Sequence, residues 1–491
     1  MRTLTFRGEY TAALELYRAH PNPNPQLETW AGILHTFTGD TATATHLLTG
    51  AAARGYRGAL GPLAYLHRIA KQPRAYLEAI TPDDTAQLHP FEAALLEREI
   101  GEHHLELERY PIALDWLETA WTTALTGPFG DQQLSSIALP LAATLARLGF
   151  DARAVSTLDE GLRRCNSRRR VPLLYERAMR NLALGRLAET EEDLAELEGF
   201  IPEGNSELPL LVKYLNARYL HALGAVAEAR GAFALVYTFA SQASGGAIPE
   251  IALHAALWAS ALEVESDGNA TVWLERSDAL AVNRRARAWL LLRRGRCLSH
   301  AGQYLEAEQT LRQAVEIFES LEARVELALA LLHRADALLR EGIDREDEVG
   351  SELLHASRIA QEIGGAAPFR LELRNLLAVR AYLERSHVLP VPKALLEPSH
   401  CYQRITVREG RLEINGVRHN VSADTAQLVA YLHRHPMSSW MHLRSSVYAD
   451  LDDSAARRNF ERSRVALEGH RGSARRVQRS RGTPTASPGR R

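Results

Sequence analysis

Cysteine is nearly absent from this chain of 491 residues: Cys165, Cys297 and Cys401 are the only three. Each lies more than 100 residues from the next, so there is no CxxC pair, metal spacing or even-numbered disulfide framework. Three small buried or half-buried thiols are expected. Lysine is as scarce, with Lys71, Lys213 and Lys393 leaving 55 of the 58 basic residues as arginine. The replacement is uniform along the chain and says little about function. No run of about 18 apolar residues occurs, so no membrane-spanning helix is expected. The most apolar stretch, Leu134 to Leu148, is too short and carries Pro140. Residues 1–10 lack the continuous apolar core of a secretory signal, which makes the cytoplasm the expected address.

Catalytic signatures are missing too. There is no GxxxxGK(S/T) loop to cradle phosphates, no GxGxxG after a strand, no HExxH and no GxSxG elbow. The nearest approach to a metal set is Glu99, Glu102, His103 and Glu106, which helical spacing puts near one face beside His104. A solvated helix surface is the expected reading of that stretch, and of the carboxylate run Glu191, Glu192 and Asp193. The chain is therefore expected to have no catalytic residues, metal or cofactor, and not to be an enzyme.

Composition is that of an ordinary globular protein, with 46% hydrophobic and 24% charged residues. The net charge of −2 hides an asymmetry. Residues 454–491 carry 11 arginines against Glu461 and Glu468, a balance of +9, which leaves −11 for residues 1–453. A mildly acidic body ending in a basic segment suits contact with a polyanion.

The body is repetitive. Gly302 is followed by Tyr304, Ala307, Leu311 and Ala314 at +2, +5, +9 and +12. Gly224 leads Val226, Ala229, Phe233 and Val236 in the same slots, and Gly149 leads Asp151, Ala154, Leu158 and Gly161. Gly185, Gly39 and Gly8 repeat the pattern, and Glu108 stands in the glycine slot before Tyr110, Ala113, Leu117 and Ala120. Positions +5, +9 and +12 share one helix face, and two of them are small, so a neighbouring helix can approach closely. The glycine ends the preceding helix in a tight turn. Anchor steps of 31 to 41 residues, two of them doubled, predict degenerate units near 70–80 and 262–282. With Gly295, these slots resemble the tetratricopeptide (TPR) repeat over roughly residues 1–385. The resemblance implies a superhelical α-solenoid with a concave binding surface for a protein or peptide.

Past residue 385 the pattern changes. Residues 386–398 contain Pro390, Pro392 and Pro398 and read as a linker. Residues 405–421 then alternate apolar and polar, with Asn415-Gly416 a hairpin turn and Glu409-Gly410 a weaker one, so three short strands are predicted. Helices are predicted at Thr425–His433, at Trp440–Tyr448 and from the Ser454 cap to Leu467. This order of parts resembles the response-regulator (OmpR/PhoB-like) winged-helix domain. More closely it is similar to the DNA-binding domain of bacterial activators of the antibiotic-regulatory (SARP) type, on Val421-Ser422, Leu428–Leu432, His435-Pro436 and Ala455 to Leu467. The resemblance implies a recognition helix in the major groove, with Asn459, Arg462 and Arg464 near DNA and Arg457 and Arg458 at phosphates. Ser463 stands where that family has leucine. No wing strands follow: residues 469–491 are basic and rich in Gly, Ser and Pro. They read as a flexible phosphate-binding arm or as a shifted frame in place of a wing.

The predicted fold is mainly α: a TPR-like α-solenoid (1–385), a linker (386–398), a small α+β winged-helix domain (399–468) and a basic disordered tail (469–491). The expected function is a bacterial DNA-binding transcriptional regulator controlled by the array; the alternative is a TPR scaffold with a degenerate C-terminal domain. Expected partners are double-stranded DNA and a protein or peptide on the concave surface. RNA polymerase and a second copy of the chain are further candidates.

Overall fold

The computed structural model describes residues 1–385 apart from 7–8, 127–129, 166, 201–206, 243–248, 267, 343–344, 364–368 and 374. Beyond 385 it describes residues 405–408, 411–414 and 417–419, with Leu428, Ala455 and Asn459. The chain divides into two compact units: Met1–Ala222 with Val226–Glu397, and Pro398–Arg491 with Leu223–Ala225.

In the first unit the described residues form successive antiparallel helix pairs. They begin with α1 (Arg2–Phe6) and α2 (Tyr10–Arg18), then α3 (Pro25–Thr38) and α4 (Thr41–Ala53); α5 (Leu60–Ile69) and the short α6 (Pro82–Ala86) are not paired with each other but both pack on α7 (Pro90–Glu106). Next come α7 (Pro90–Glu106) with α8 (Tyr110–Thr126), α9 (Gly130–Arg147) with α10 (Asp151–Arg164), and α11 (Ser167–Ala183) with α12 (Leu187–Glu198). The array continues through α13 (Glu207–Ala222) with α14 (Val226–Ser241) and α15 (Pro249–Glu265) with α16 (Thr271–Asp278). It ends with α17 (Arg284–His300) and α18 (Tyr304–Ser320), α19 (Arg324–Glu341) and α20 (Glu346–Glu362), then α21 (Arg370–Leu373) and α22 (Leu377–Arg385). The degenerate unit predicted near 262–282 is the pair with the short helix α16, whereas residues 70–80 hold a single short helical turn, Ala75–Ala79, and no helix pair.

The repeat slots do what their residue types require. Ala307, Leu311 and Ala314 are fully buried, and so are Ala44, Leu48, Ala51 and Ala113, Leu117, Ala120. In α12 the +5 slot holds Thr190, buried with its hydroxyl donating to the Arg186 carbonyl at 2.8 Å. The residue seven before each turn is small because the +9 side chain fills the space above it. A Cβ on Gly32 would sit 2.7 Å from Leu48 Cγ, and one on Gly295 would sit 2.7 Å from Leu311 Cδ2. Gly295→Val is therefore expected to cost about 1–3 kcal/mol by overpacking. Gly231, on an exposed face of α14 with open space above it, is the control. There Gly→Ala should stabilise by about 0.5–1 kcal/mol. Urea denaturation of the two variants checks both signs.

The turn slots require a left-handed backbone: Gly39, Gly149, Gly185, Gly224 and Gly302 have φ between 72° and 87°. Gly8 lies outside the described residues. Glu108 adopts the same region at φ 58° despite its side chain, a conformation that costs roughly 1–2 kcal/mol. Its carboxylate supplies a return: Glu108 Oε1 accepts from the Arg285 backbone N–H at 3.1 Å, 177 residues away.

That contact belongs to a seam where the array meets itself. Tyr110 and Leu148 share one apolar cluster with residues of α17 to α22. A Cβ on Gly149 would lie 2.8 Å from Ile363 Cγ2, and the Arg324 guanidinium lies 5.1 Å from the centre of the Phe150 ring. The solenoid thus curls round until α7–α10 touch α17–α20.

In the second unit three antiparallel strands lie in sequence order: β1 (Ile405–Arg408), β2 (Arg411–Ile414) and β3 (Val417–His419). Arg408 pairs with Arg411 and Ile414 with Val417, the register that two-residue connections impose. Among the described residues, no helix is long and apolar enough to cross a membrane.

Candidate functional site

Three expectations about charged residues need revision or lie out of reach. The helix bearing Glu99 to Glu106 is not a solvated surface: Glu99 is 0% exposed and His103 and His104 are buried. Its carboxylates are taken by arginines. Arg68 Nε lies 3.1 Å from Glu99 and 2.9 Å from Glu102, Arg74 Nη1 lies 3.3 Å from Glu99, and Arg98 pairs with both. Among the described residues no group of three or more His, Cys, Asp or Glu is placed to hold a metal ion. Asp193 also departs from the expected surface position. It is 2% exposed and accepts from Arg177 Nε at 3.1 Å, because α11 packs over it. Of the predicted DNA-binding residues, Asn459 is helical and half-buried; Arg457, Arg458, Arg462 and Arg464 lie outside the described residues. Cys165 and Cys297 are free and half-buried, and Cys401 lies outside the described residues.

The site with concentrated chemistry lies inside the curl of the first unit, a cavity of about 440 Å³. Alternate helices of the array line it. From α9 come Ala143, Ala146 and Arg147, and from α11 Tyr175, Glu176, Met179, Arg180 and Ala183. Helix α13 presents Leu211, Tyr214 and Arg218; α15 presents Glu250, His254 and Trp258; α17 presents Arg285, Trp289 and Arg293. Asp151, Glu326 and Glu372 complete its charged set. The last two triads run i, i+4, i+8, so one face of each helix points inward for two turns.

Aromatic rings and guanidinium groups interleave on the wall. Arg218 lies 4.3 Å from the Trp258 ring centre, and Arg293 lies 5.0 Å from Trp258 and 5.3 Å from Trp289. Such contacts stiffen the cations without neutralising them. Arg180 pairs with Asp151 and Glu176, each at 3.1 Å. Arg285 pairs with Glu326, and Arg293 Nη1 with Glu372 at 2.8 Å. Burial, followed by the charges of Arg285, Arg147 and Arg218, pushes the His254 pKa down to about 3, so its imidazole is neutral. Several buried polar atoms have no hydrogen-bond partner, among them Trp289 Nε1, Arg285 Nε, Arg293 Nε and Glu326 Oε2. A partly enclosed space walled by aromatic rings and guanidinium groups can bind and orient a polar guest.

None of these residues stood out in the sequence. The available signal was the spacing of Glu250, His254, Trp258 and of Arg285, Trp289, Arg293, which is indistinguishable from other charged helix faces until the inner helices are known.

No protein-family model matches the sequence, and no curated protein does. Among solved structures, the chain is similar to a Rap protein complexed with competence and sporulation factor, at 13% identity and a TM-score of 0.53. The match covers 69% of this chain and 98% of that one. The Cut9–Hcn1 hetero-tetramer of the APC/C (13% identity, TM-score 0.29, 80% of this chain and 94% of that chain) and yeast Tom70 (11%, 0.32, 81% and 97%) are also similar, at scores too low to argue from. At such identities the similarity shows the fold alone. The first unit is a TPR-like helical-repeat solenoid.

Proposed function

We propose that the chain is a partner-binding repeat protein whose receptor site is the cavity inside the curl, and that the guest is an extended peptide segment. The cavity carries this reading: about 440 Å³ in volume, lined by successive inner helices, with walls of aromatic rings and guanidinium groups. That volume is within the range of specific ligand sites, roughly 300–1,000 Å³. A Rap protein of the same fold is known complexed with a competence and sporulation factor, which agrees with a receptor role. The test is selection of a displayed random heptapeptide library on the full-length protein. Enriched peptides are expected to bind wild type and to lose binding to Ala183→Trp, in which an indole fills the cavity. Absence of enrichment, or equal binding by the filled variant, would remove the proposal.

A second reading concerns the C-terminal unit: we propose that residues 399–491 bind duplex DNA. The three-stranded meander and the +9 charge of residues 454–491 support it. Full-length protein is expected to bind random duplex DNA with an affinity that falls steeply with salt, and a chain ending at Leu383 should not. Arg462→Ala and Arg464→Ala should each cost about 1–3 kcal/mol if they contact bases. Binding that survives both replacements would dismiss the recognition helix. A chain ending at Gly469 separates the folded part from the basic tail.

A further inference from the structure

Two of the five arginines that line the cavity lack what the other three have. Arg180, Arg285 and Arg293 each hold a carboxylate. Among the described residues Arg147 has one ion pair, with Glu250 at 4.0 Å, and the Glu250 side chain is 75% exposed. Arg218 makes no ion pair among the described residues: it lies over the Trp258 ring, with Nη1 3.5 Å from the Tyr214 hydroxyl. The charge of Arg285 is the largest influence on Arg147 and, with burial second, holds its pKa below the ordinary arginine value. Like charges facing each other in a space of low dielectric repel, and an entering anion removes the repulsion.

We propose that the guest of the cavity carries a carboxylate and that Arg147 and Arg218 hold it, with Arg285 beside them. This inference rests on the reading of the cavity as a peptide receptor. The remaining wall selects the kind of anion. Five carboxylates, Asp151, Glu176, Glu250, Glu326 and Glu372, line the same cavity against five arginines, so this wall has no surplus positive charge with which to balance a doubly charged phosphate. A planar, singly charged carboxylate fits the guanidinium fork and meets less opposition.

The test uses full-length protein and three random hexapeptide pools carrying a zwitterionic rhodamine, read by fluorescence anisotropy. The first contains one glutamate and a free C-terminus, the second one glutamate and an amidated C-terminus, the third glutamine and an amidated C-terminus. The third pool is expected to bind about tenfold or more weakly than the first. A second pool that matches the first assigns the carboxylate to the side chain; one that matches the third assigns it to the C-terminus. Equal binding by all three would overturn the carboxylate and leave the receptor reading standing, whereas binding by none would overturn both. Inorganic phosphate displacing the first pool at lower concentration than acetate would also overturn it. Arg147→Gln and Arg218→Gln are each expected to lose the preference for the first pool. Arg147→Gln should also melt at or above the wild-type temperature, because it relieves the repulsion from Arg285. A variant that melts lower and keeps the preference would make Arg147 a structural residue.

Discussion

Replacing Glu372 with alanine is expected to destabilise the array by about 3–5 kcal/mol, the cost of leaving buried cations without their counter-charge. Glu372 is buried, and its two oxygens accept from Arg293 Nη1 at 2.8 Å and Arg296 Nη1 at 2.9 Å, with His333 Nε2 at 3.2 Å. One carboxylate on α21 thereby joins α17 to α19. Burial pushes its pKa up, but Arg293 and Arg296, then His333, outweigh that and hold it well below the usual carboxylate range. Because the folded pKa is depressed, the stabilisation is complete above the unfolded value of about 4.3 and is lost as pH falls through the folded pKa. His333 is depressed as well, chiefly by burial. The unfolded chain therefore takes up that proton first, and stability begins to fall below about pH 6.5. Urea unfolding at pH 7, followed by tryptophan fluorescence, measures the first effect, and the same titration at stepwise lower pH measures the second. A loss under about 1 kcal/mol for Glu372→Ala would mean that the arginines find other partners.

Phe233→Ala is expected to cost about 3–5 kcal/mol, the usual penalty for removing a fully buried aromatic side chain. Phe233 fills the +9 slot of its repeat and is 0% exposed. Its ring is stacked on Trp258 at 6.1 Å and edge-on to Tyr214 at 5.9 Å. Both neighbours line the cavity, so the same variant should weaken capture of the selected peptides. In a repeat array each unit is stabilised by its nearest neighbours. Faster hydrogen exchange is therefore expected in α13, α14 and α15, with α3 and α4 unchanged. Uniformly faster exchange along the array would show that the solenoid unfolds as one body.

The repeat slots were legible because their chemistry is local. A small residue at +5 and a large one at +9 fall on one helix face by spacing alone, and Gly302 or Gly224 marks a turn because a side chain opposes that backbone. The same logic placed Glu108 in a turn, although its contact with Arg285 was invisible. The strands at 405–419 were readable from alternation and from Asn415-Gly416. The buried arginine–glutamate sets were misread as surface. Charged residues at helical spacing look alike whether water or another helix covers them, and burial of Glu99 or Asp193 depends on arginines of other elements, Arg68, Arg74 and Arg177.

The sequence by itself determined that this protein builds paired helices, where the pairs marked by Gly39, Glu108, Gly149, Gly185, Gly224 and Gly302 turn, and which face of the second helix in those pairs is packed. Those choices depend on residues a few positions apart, within reach of a single turn of backbone. Only the tertiary structure decided that the array curls until Glu108 meets Arg285, and that Arg147, Arg218 and His254 face one cavity. Small angles between successive helix pairs accumulate along the array, so no short stretch of sequence encodes where its middle meets its later helices.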